Sequence, residues 1–210
     1  MPLPPLVPLE GVVFVGVEML IGRPGSGKSY ELTRRALAEA DRDRMVFTNY
    51  SLIHPNVYKF EPDQLLDLPP GLVVIDEAHL WFPARMSLKL PMSWLTGVSQ
   101  TRKKGWDVLL AAQHETRLDR ALRDVCSWAW LCRAWGQHNG HPVLFTSSCW
   151  EPEFFRRPKM VMGRSAHFFS RKVAEAYNTH ESLTQADHTV QDNDPYAKRR
   201  RNASVLEGKI

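Results

Sequence analysis

The run Gly22-Arg23-Pro24-Gly25-Ser26-Gly27-Lys28-Ser29 fits the pattern G-x-x-x-x-G-K-[ST] at every required position. Few folds can carry that spacing, because it works only as a loop between a buried strand and a helix. The glycines let successive backbone N–H groups turn inward into a concave anion site, and the helix N-terminus behind them adds its positive dipole end. Phosphate is the ligand for such a loop. Lys28 is expected to reach the β- and γ-phosphates and the Ser29 hydroxyl to ligate Mg²⁺. Gly22, Pro24, Gly25, Ser26, Gly27 and Tyr30 complete the expected nucleotide-binding set. Both flanks agree with the pattern: residues 12–21 are largely apolar with Glu18 as the one charge, and residues 30–40 are good helix formers.

A second signal is the aliphatic run of residues 72–75 followed by Asp76-Glu77. An uninterrupted aliphatic run suits a strand buried on both faces of a parallel sheet. Beyond a phosphate loop, the acids at its end have distinct expected roles. Asp76 holds Mg²⁺ directly or through water, and Glu77 polarises the water that attacks the γ-phosphate. Residues 107–112 form a third buried strand ending in Gln113, where a γ-phosphate sensor would lie. Residues 45–48 read as a short strand; Asn49 at its carboxyl end is either a ligand contact or a turn former. Trp81 and Phe82 read as core.

Short helices are expected at residues 63–68, 92–100, 118–125 and 171–177, with Arg117, Arg120 and Arg123 on or near the third. Residues 128–135 and 143–150 form a hairpin around Asn139-Gly140 that extends one edge of the sheet. Residues 151–162 read as irregular. The order strand, phosphate loop, helix, strand, acidic strand, helix, strand predicts a doubly wound α/β domain with a largely parallel sheet.

A chain of 210 residues with 43% apolar residues can bury one sizeable core. Residues 1–10 read as an extended proline-rich arm, 11–186 as the α/β domain and 187–210 as a polar tail carrying Lys198-Arg199-Arg200-Arg201. Net charge is +4, which permits contact with nucleic acid or an acidic membrane without demonstrating either. The cluster Thr101-Arg102-Lys103-Lys104-Gly105 reads as a solvated helix end, an arginine offered to a neighbour's nucleotide, or a phosphate-backbone contact. The three cysteines, Cys126, Cys132 and Cys149, lack C-x-x-C spacing and read as core thiols. His138 and His141 flank the Asn-Gly turn and read as turn residues rather than metal ligands.

The chain resembles the Zot-like P-loop ATPases, named after the zonula occludens toxin and including filamentous-phage assembly proteins, within the FtsK–HerA superfamily. The matching stretches are Gly22 to Tyr30, Val46-Phe47-Thr48-Asn49, Val73 to His79 with Phe82-Pro83-Ala84-Arg85, and Arg102 to Gln113 with its Arg-x-x-Gly-x-Asp spacing. The resemblance implies a RecA-like ASCE fold and an ATP- and Mg²⁺-dependent motor. It also implies a homo-oligomeric ring, a hexamer, with each nucleotide at a subunit boundary. Catalysis would fall to Lys28, Glu77, Gln113 and a neighbour's Arg102, with Arg123 as second choice. Zot-like assembly proteins carry a membrane helix after the ATPase part. No run of about 18 uncharged apolar residues occurs here, so the expectation leans to the soluble viral packaging ATPases of the same superfamily. The expected partners are DNA and a capsid, portal or membrane protein, in the host cytoplasm or at the packaging vertex of a virion. The alternatives are a membrane-associated assembly ATPase and a nucleotide-dependent binding module with little turnover.

Overall fold

A computed structural model describes residues 16–84, 97–98 and 100–177, and for Arg102 the backbone alone. Eight strands form one sheet in the order β3-β2-β4-β5-β1-β6-β7-β8. They are β1 (Val17–Ile21), β2 (Val46–Thr48), β3 (Val57–Lys59), β4 (Gly71–Ile75), β5 (Trp106–Ala112), β6 (Trp128–Trp135), β7 (Leu144–Trp150) and β8 (Gly163–Phe168). From β3 through β6 every pairing is parallel; β7 and β8 add on antiparallel. The strand that precedes the phosphate loop, β1, is separated from the acidic strand, β4, by β5. This is a mostly parallel sheet flanked by helices, the ASCE, RecA-like P-loop NTPase fold.

Strands β1 and β4 are buried along their whole length, and β5 is buried except at Asp107. Both faces are covered, so each strand reads as a continuous apolar run rather than an alternation. On one face, Met19, Ile21, Val73, Ile75, Val108 and Leu110 pack with Trp81, Phe82, Leu118 and Leu122. On the other, Leu20, Val74 and Leu109 meet Leu32, Ala36 and Leu37 of helix α1 (Lys28–Ala40). Trp81 and Phe82 are therefore core. The shorter helices are α2 (Thr101–Lys104), α3 (Arg120–Val125) and α4 (Arg171–Glu175). Asp119 opens α3, its carboxylate accepting the Ala121 N–H at 2.8 Å.

The one charge in β1 has a specific partner set. Glu18 accepts from Arg35 of α1 at 3.1 Å and from the Trp130 indole N–H at 2.7 Å, while Arg35 also donates to Glu31 at 2.7 Å. Arg35 lies 4.3 Å from the centre of the Trp130 ring. All three charged groups are almost fully buried, so β1, β6 and α1 are joined by a paired polar network inside an apolar layer.

The hairpin of β6 and β7 lies where the sequence placed it, and His138 and His141 exchange backbone hydrogen bonds across its turn. Strands β3 and β8 are additions that sequence reasoning missed. The helix expected at 92–100 lies largely outside the described residues, as do the arm of residues 1–10, Arg85 and the basic tail. The three cysteines are free and buried; burial pushes the Cys126 and Cys132 thiols up to about 12.

Candidate nucleotide-binding site

Gly22 to Ser29 leave the carboxyl end of β1 and enter α1. Gly27 holds φ at 83° as the residue before the helix. A side chain there would be strained, and its Cβ would lie 2.4 Å from the Phe145 ring. Gly22 is confined as well: a Cβ would lie 2.3 Å from Ser26 Oγ and 2.9 Å from the Cys132 carbonyl. The first helical hydrogen bond runs from Glu31 N–H to the Gly27 carbonyl at 2.9 Å. The N–H groups of Gly27, Lys28, Ser29 and Tyr30 precede it and are the orphan donors of the helix start. Lys28 is 5% exposed, and its ammonium donates to the Arg23 carbonyl at a long 3.4 Å. Ser26 Oγ is buried with no hydrogen-bond partner among the described residues. A nearly buried cation, orphan amides and a free hydroxyl on one loop suit a multiply charged oxyanion.

Asp76 follows β4 and is buried. Ser29 Oγ donates to one of its carboxylate oxygens, and the Glu77 N–H donates to the other at 2.8 Å. Burial raises the Asp76 pKa above the ordinary carboxylate value; the bonds from the Ser29 hydroxyl and the Glu77 N–H oppose the rise, the Glu77 carboxylate adds to it, and Lys28 opposes it. A hydroxyl and a desolvated carboxylate in contact form a hard oxygen donor pair, which fits Mg²⁺.

Asn49 has a structural role that neither sequence reading included. Its side chain donates to the Asp76 carbonyl at 2.9 Å and accepts the Asp76 N–H at 2.8 Å, and the residue is buried. Its amide is thus engaged by the Asp76 backbone, at a bend that follows β2. It extends the β2–β4 pairing by one residue through its side chain and fixes the backbone that presents Asp76 and Glu77. A polar amide aligned by pattern with the start of the acidic pair was the available signal.

Glu77 has φ 46° and ψ 45°, a left-handed conformation uncommon for a residue with a side chain. Its Oε2 lies 3.2 Å from His79 Nδ1, yet neither atom makes a hydrogen bond among the described residues. Burial lowers the His79 pKa, outweighing the attraction of Glu77, and Arg117 and Lys28 lower it further. His79 is therefore neutral at pH 7. Gln113 stands at the carboxyl end of β5, and its Oε1 accepts from Arg117 at 2.7 Å. That bond leaves the Gln113 amide N–H₂ without a partner among the described residues. His79 and Arg117 were not singled out for this site; their signals were spacings of two residues from Glu77 and four from Gln113.

The side chain of Tyr30 is turned away from the loop. It is 4% exposed, stacks on Phe145 with ring centres 4.0 Å apart, and accepts the Ser170 N–H at 2.6 Å. Only its backbone N–H remains for a ligand. Pro24 and Gly25 lie exposed on the loop. Arg102 is in α2, before the amino end of β5, whereas the phosphate loop follows the carboxyl end of β1. Seven strand residues separate those ends by roughly 20 Å, so Arg102 cannot serve its own loop. Arg123 lies on α3 one turn before Cys126, and the next N–H, of Ser127, donates to Val17 at the amino end of β1. It too is remote from its own loop. Asp107 of the Arg-x-x-Gly-x-Asp block is structural: its carboxylate accepts the Gly16 N–H at 2.7 Å and pairs with Arg44.

Comparisons with known proteins bear on the fold. The family model for zonular occludens toxin (Zot) matches residues 59–136. The N-terminal domain of zonular occludens toxin from Neisseria meningitidis superposes with a TM-score of 0.56 at 19% identity, covering 79% of this chain and 100% of that one. The genome packaging NTPase of Sulfolobus turreted icosahedral virus 2, in complex with ATP-gammaS, superposes with a TM-score of 0.50 at 10% identity, covering 72% and 96%. Its complex with AMP gives 0.50 at 10% identity, covering 74% and 96%. No curated protein sequence matches the chain. The chain thus resembles the Zot family over residues 59–136 and shares its overall fold with the toxin's N-terminal domain and with the viral packaging NTPase.

Proposed function

We propose that this chain is an ATP-hydrolysing motor that moves DNA during viral genome packaging, working as a ring whose nucleotide sites are shared between subunits. The observation that carries the ATPase reading is the contact of Ser29 with Asp76 at the mouth of the phosphate loop. It brings the expected metal-binding hydroxyl and carboxylate together beside a nearly buried lysine.

In this reading the orphan amides at the start of α1 and Lys28 bind the phosphates, and Ser29 and Asp76 hold Mg²⁺. When bound, Mg²⁺ neutralises charge on the phosphate oxygens. Glu77 accepts a proton from the attacking water, and His79 stands beside it as a neutral neighbour. Gln113 turns its free amide N–H₂ toward the γ-phosphate, held by Arg117 through its oxygen. Arg102 of a neighbouring subunit supplies positive charge, with Arg123 the second candidate. Glu77→Gln should keep ATP affinity near the wild-type value while hydrolysis falls at least about 100-fold. Binding of a fluorescent ATP analogue and phosphate release measure the two. Wild-type turnover in that variant would remove Glu77 from the role of base.

A second reading, a Zot-like assembly ATPase acting at a membrane, is favoured by the Zot match and by the higher TM-score with the toxin's N-terminal domain. Among the described residues no helix is long and apolar enough to cross a membrane. ATPase activity measured against protein concentration, with single- and double-stranded DNA, tests the shared-site feature common to both readings. Activity strictly proportional to protein across the range of assembly would count against Arg102 acting in trans.

A further inference from the structure

Strands β6, β7 and β8 have two unlike faces. Directly opposed residues in a sheet share a face, as do residues two apart along a strand. The register opposes Trp135 to Leu144 and Leu144 to Phe168, Arg133 to Thr146, and Ser148 to Arg164. These side chains therefore form one surface. The intervening residues, among them Cys132 and Phe145, point the other way and pack in the core cluster that contains α1.

The outer surface is open. Trp135 is 49% exposed and Phe168 74% exposed. The Trp135 indole N–H donates to Thr146 Oγ1 at 2.8 Å, which leans the ring over the sheet instead of letting it project into solvent. With strands about 4.8 Å apart, Trp135 and Phe168 sit about 10 Å from one another across β7. The three strands contain no acidic residue. Among the described residues, Arg133 and Arg164 make no ion pair.

We propose that this outer face binds a single-stranded nucleic acid, with bases stacked on Trp135 and Phe168 and phosphates held by Arg133 and Arg164. Exposed aromatic rings beside unpaired guanidinium groups on a sheet surface match an unpaired strand, which presents both π-faces and negative charge. A duplex buries its base faces and gains nothing from the aromatics. A second copy of the chain would bring the same two arginines against each other. The choice of nucleic acid as partner rests on the motor reading above; the face itself does not require ATP hydrolysis. The inner side of the same strands touches the phosphate loop, through the Cys132 carbonyl at Gly22 and Phe145 at Gly27. Strand binding and nucleotide binding thus meet across one layer of backbone.

The test is fluorescence anisotropy of a labelled 12-nucleotide oligothymidylate against the full chain without nucleotide, over a range of salt, beside a duplex of equal length. The expected result is tighter binding of the single strand. Replacing both Arg133 and Arg164 by Ala should weaken it at least tenfold and reduce the log–log salt slope by about 1.4, at roughly 0.7 per phosphate contact. Trp135→Ala should weaken it about tenfold, whereas Trp135→Phe, which keeps a stacking ring, should stay within about threefold of wild type. Binding of an ATP analogue, unchanged in each variant, reports that the fold is kept. Unaltered oligonucleotide binding in the arginine and Trp135→Ala variants would overturn the proposal. So would a change of oligomeric state without a change in binding, which would make the face a subunit interface. If the wild-type chain hydrolyses ATP but binds no oligothymidylate, the proposal falls and the ATPase reading stands. If it binds through these residues without turnover, the reverse holds.

Discussion

The two ends of the sheet are built by different rules. From β2 to β1 the strands are parallel and buried on both sides, and each strand ends in a residue of the proposed nucleotide site or one that supports it: Asn49, Asp76, Gln113 and Gly22. From β6 to β8 the strands alternate between a buried side and an exposed one. In the first region position along the strand decides a residue's role, because only the carboxyl end is free of covering helices. In the second region parity decides it: neighbours in sequence serve opposite surfaces.

The regions are tied together by Arg35, so its loss should separate them most. Arg35→Met leaves Glu18 and Glu31 buried without their shared cation, at an expected cost of about 3–5 kcal/mol. Urea unfolding measures this, and a loss below about 1 kcal/mol would mean that the network does not join the two regions.

Acid should act on the same joint. Burial raises the Glu31 pKa, but Arg35 and then Arg34 outweigh it and hold the group at about 2, against an ordinary 4.5. A carboxylate whose folded pKa is depressed stabilises the fold above its unfolded pKa and loses that contribution as pH falls from about 4.5 toward 2. The shift corresponds to roughly 3 kcal/mol. The raised pKa of Glu18, caused first by burial, acts in the opposite sense as pH rises. Glu31→Gln should therefore flatten the decline in stability between pH 4.5 and 2 relative to wild type. An unchanged acid limb in denaturant titrations would remove Glu31 from this role.

Within the parallel region, Asn49→Ala removes both side-chain hydrogen bonds to the Asp76 backbone and leaves buried groups unpaired. The expected loss is about 1–3 kcal/mol, with ATP turnover reduced more than ATP binding. Equal turnover per folded molecule would show that the Asp76-Glu77 backbone holds itself in place.

The smallest effect concerns the contact between the regions at Gly27 and Phe145. Gly27→Ala should weaken binding of an ATP analogue, and Phe145→Ala should recover part of that loss. The expected coupling is about 1 kcal/mol in a double-mutant cycle. Strict additivity would mean that the strain at φ 83°, and not the ring, opposes a side chain there.

What could be read from the sequence follows the same division. The phosphate loop, the Asp76-Glu77 strand and the strand ending in Gln113 were legible because each is a local pattern whose neighbours in sequence are its neighbours in function. The hairpin was legible from Asn139-Gly140. Strand β8 was not, since Gly163-Arg164-Ser165-Ala166-His167-Phe168 has no apolar run and becomes a strand only because β7 offers it an edge. Three-residue β3 was hidden for the same reason. Motif position identified Tyr30 as part of the phosphate loop's exit but could not show that its ring turns away to Phe145. Glu18 was visible as an isolated charge in an apolar strand, yet its partners lie 17 and 112 residues away.

The alternation in β6 also limits how this chain can change through descent. Inserting one residue between Gly22's neighbour Cys132 and Arg133 would send every later side chain of the strand to the opposite surface. Arg133 would then point into the layer that holds Tyr30 and Phe145, the inserted residue would take its place outside, and Ala134 would take that of Trp135. Substitutions can drift at single positions here, but changes of length must come in pairs or be confined to the Asn139-Gly140 turn. Among descendants of this sequence, the hairpin should vary in length at its tip and hold its count below it.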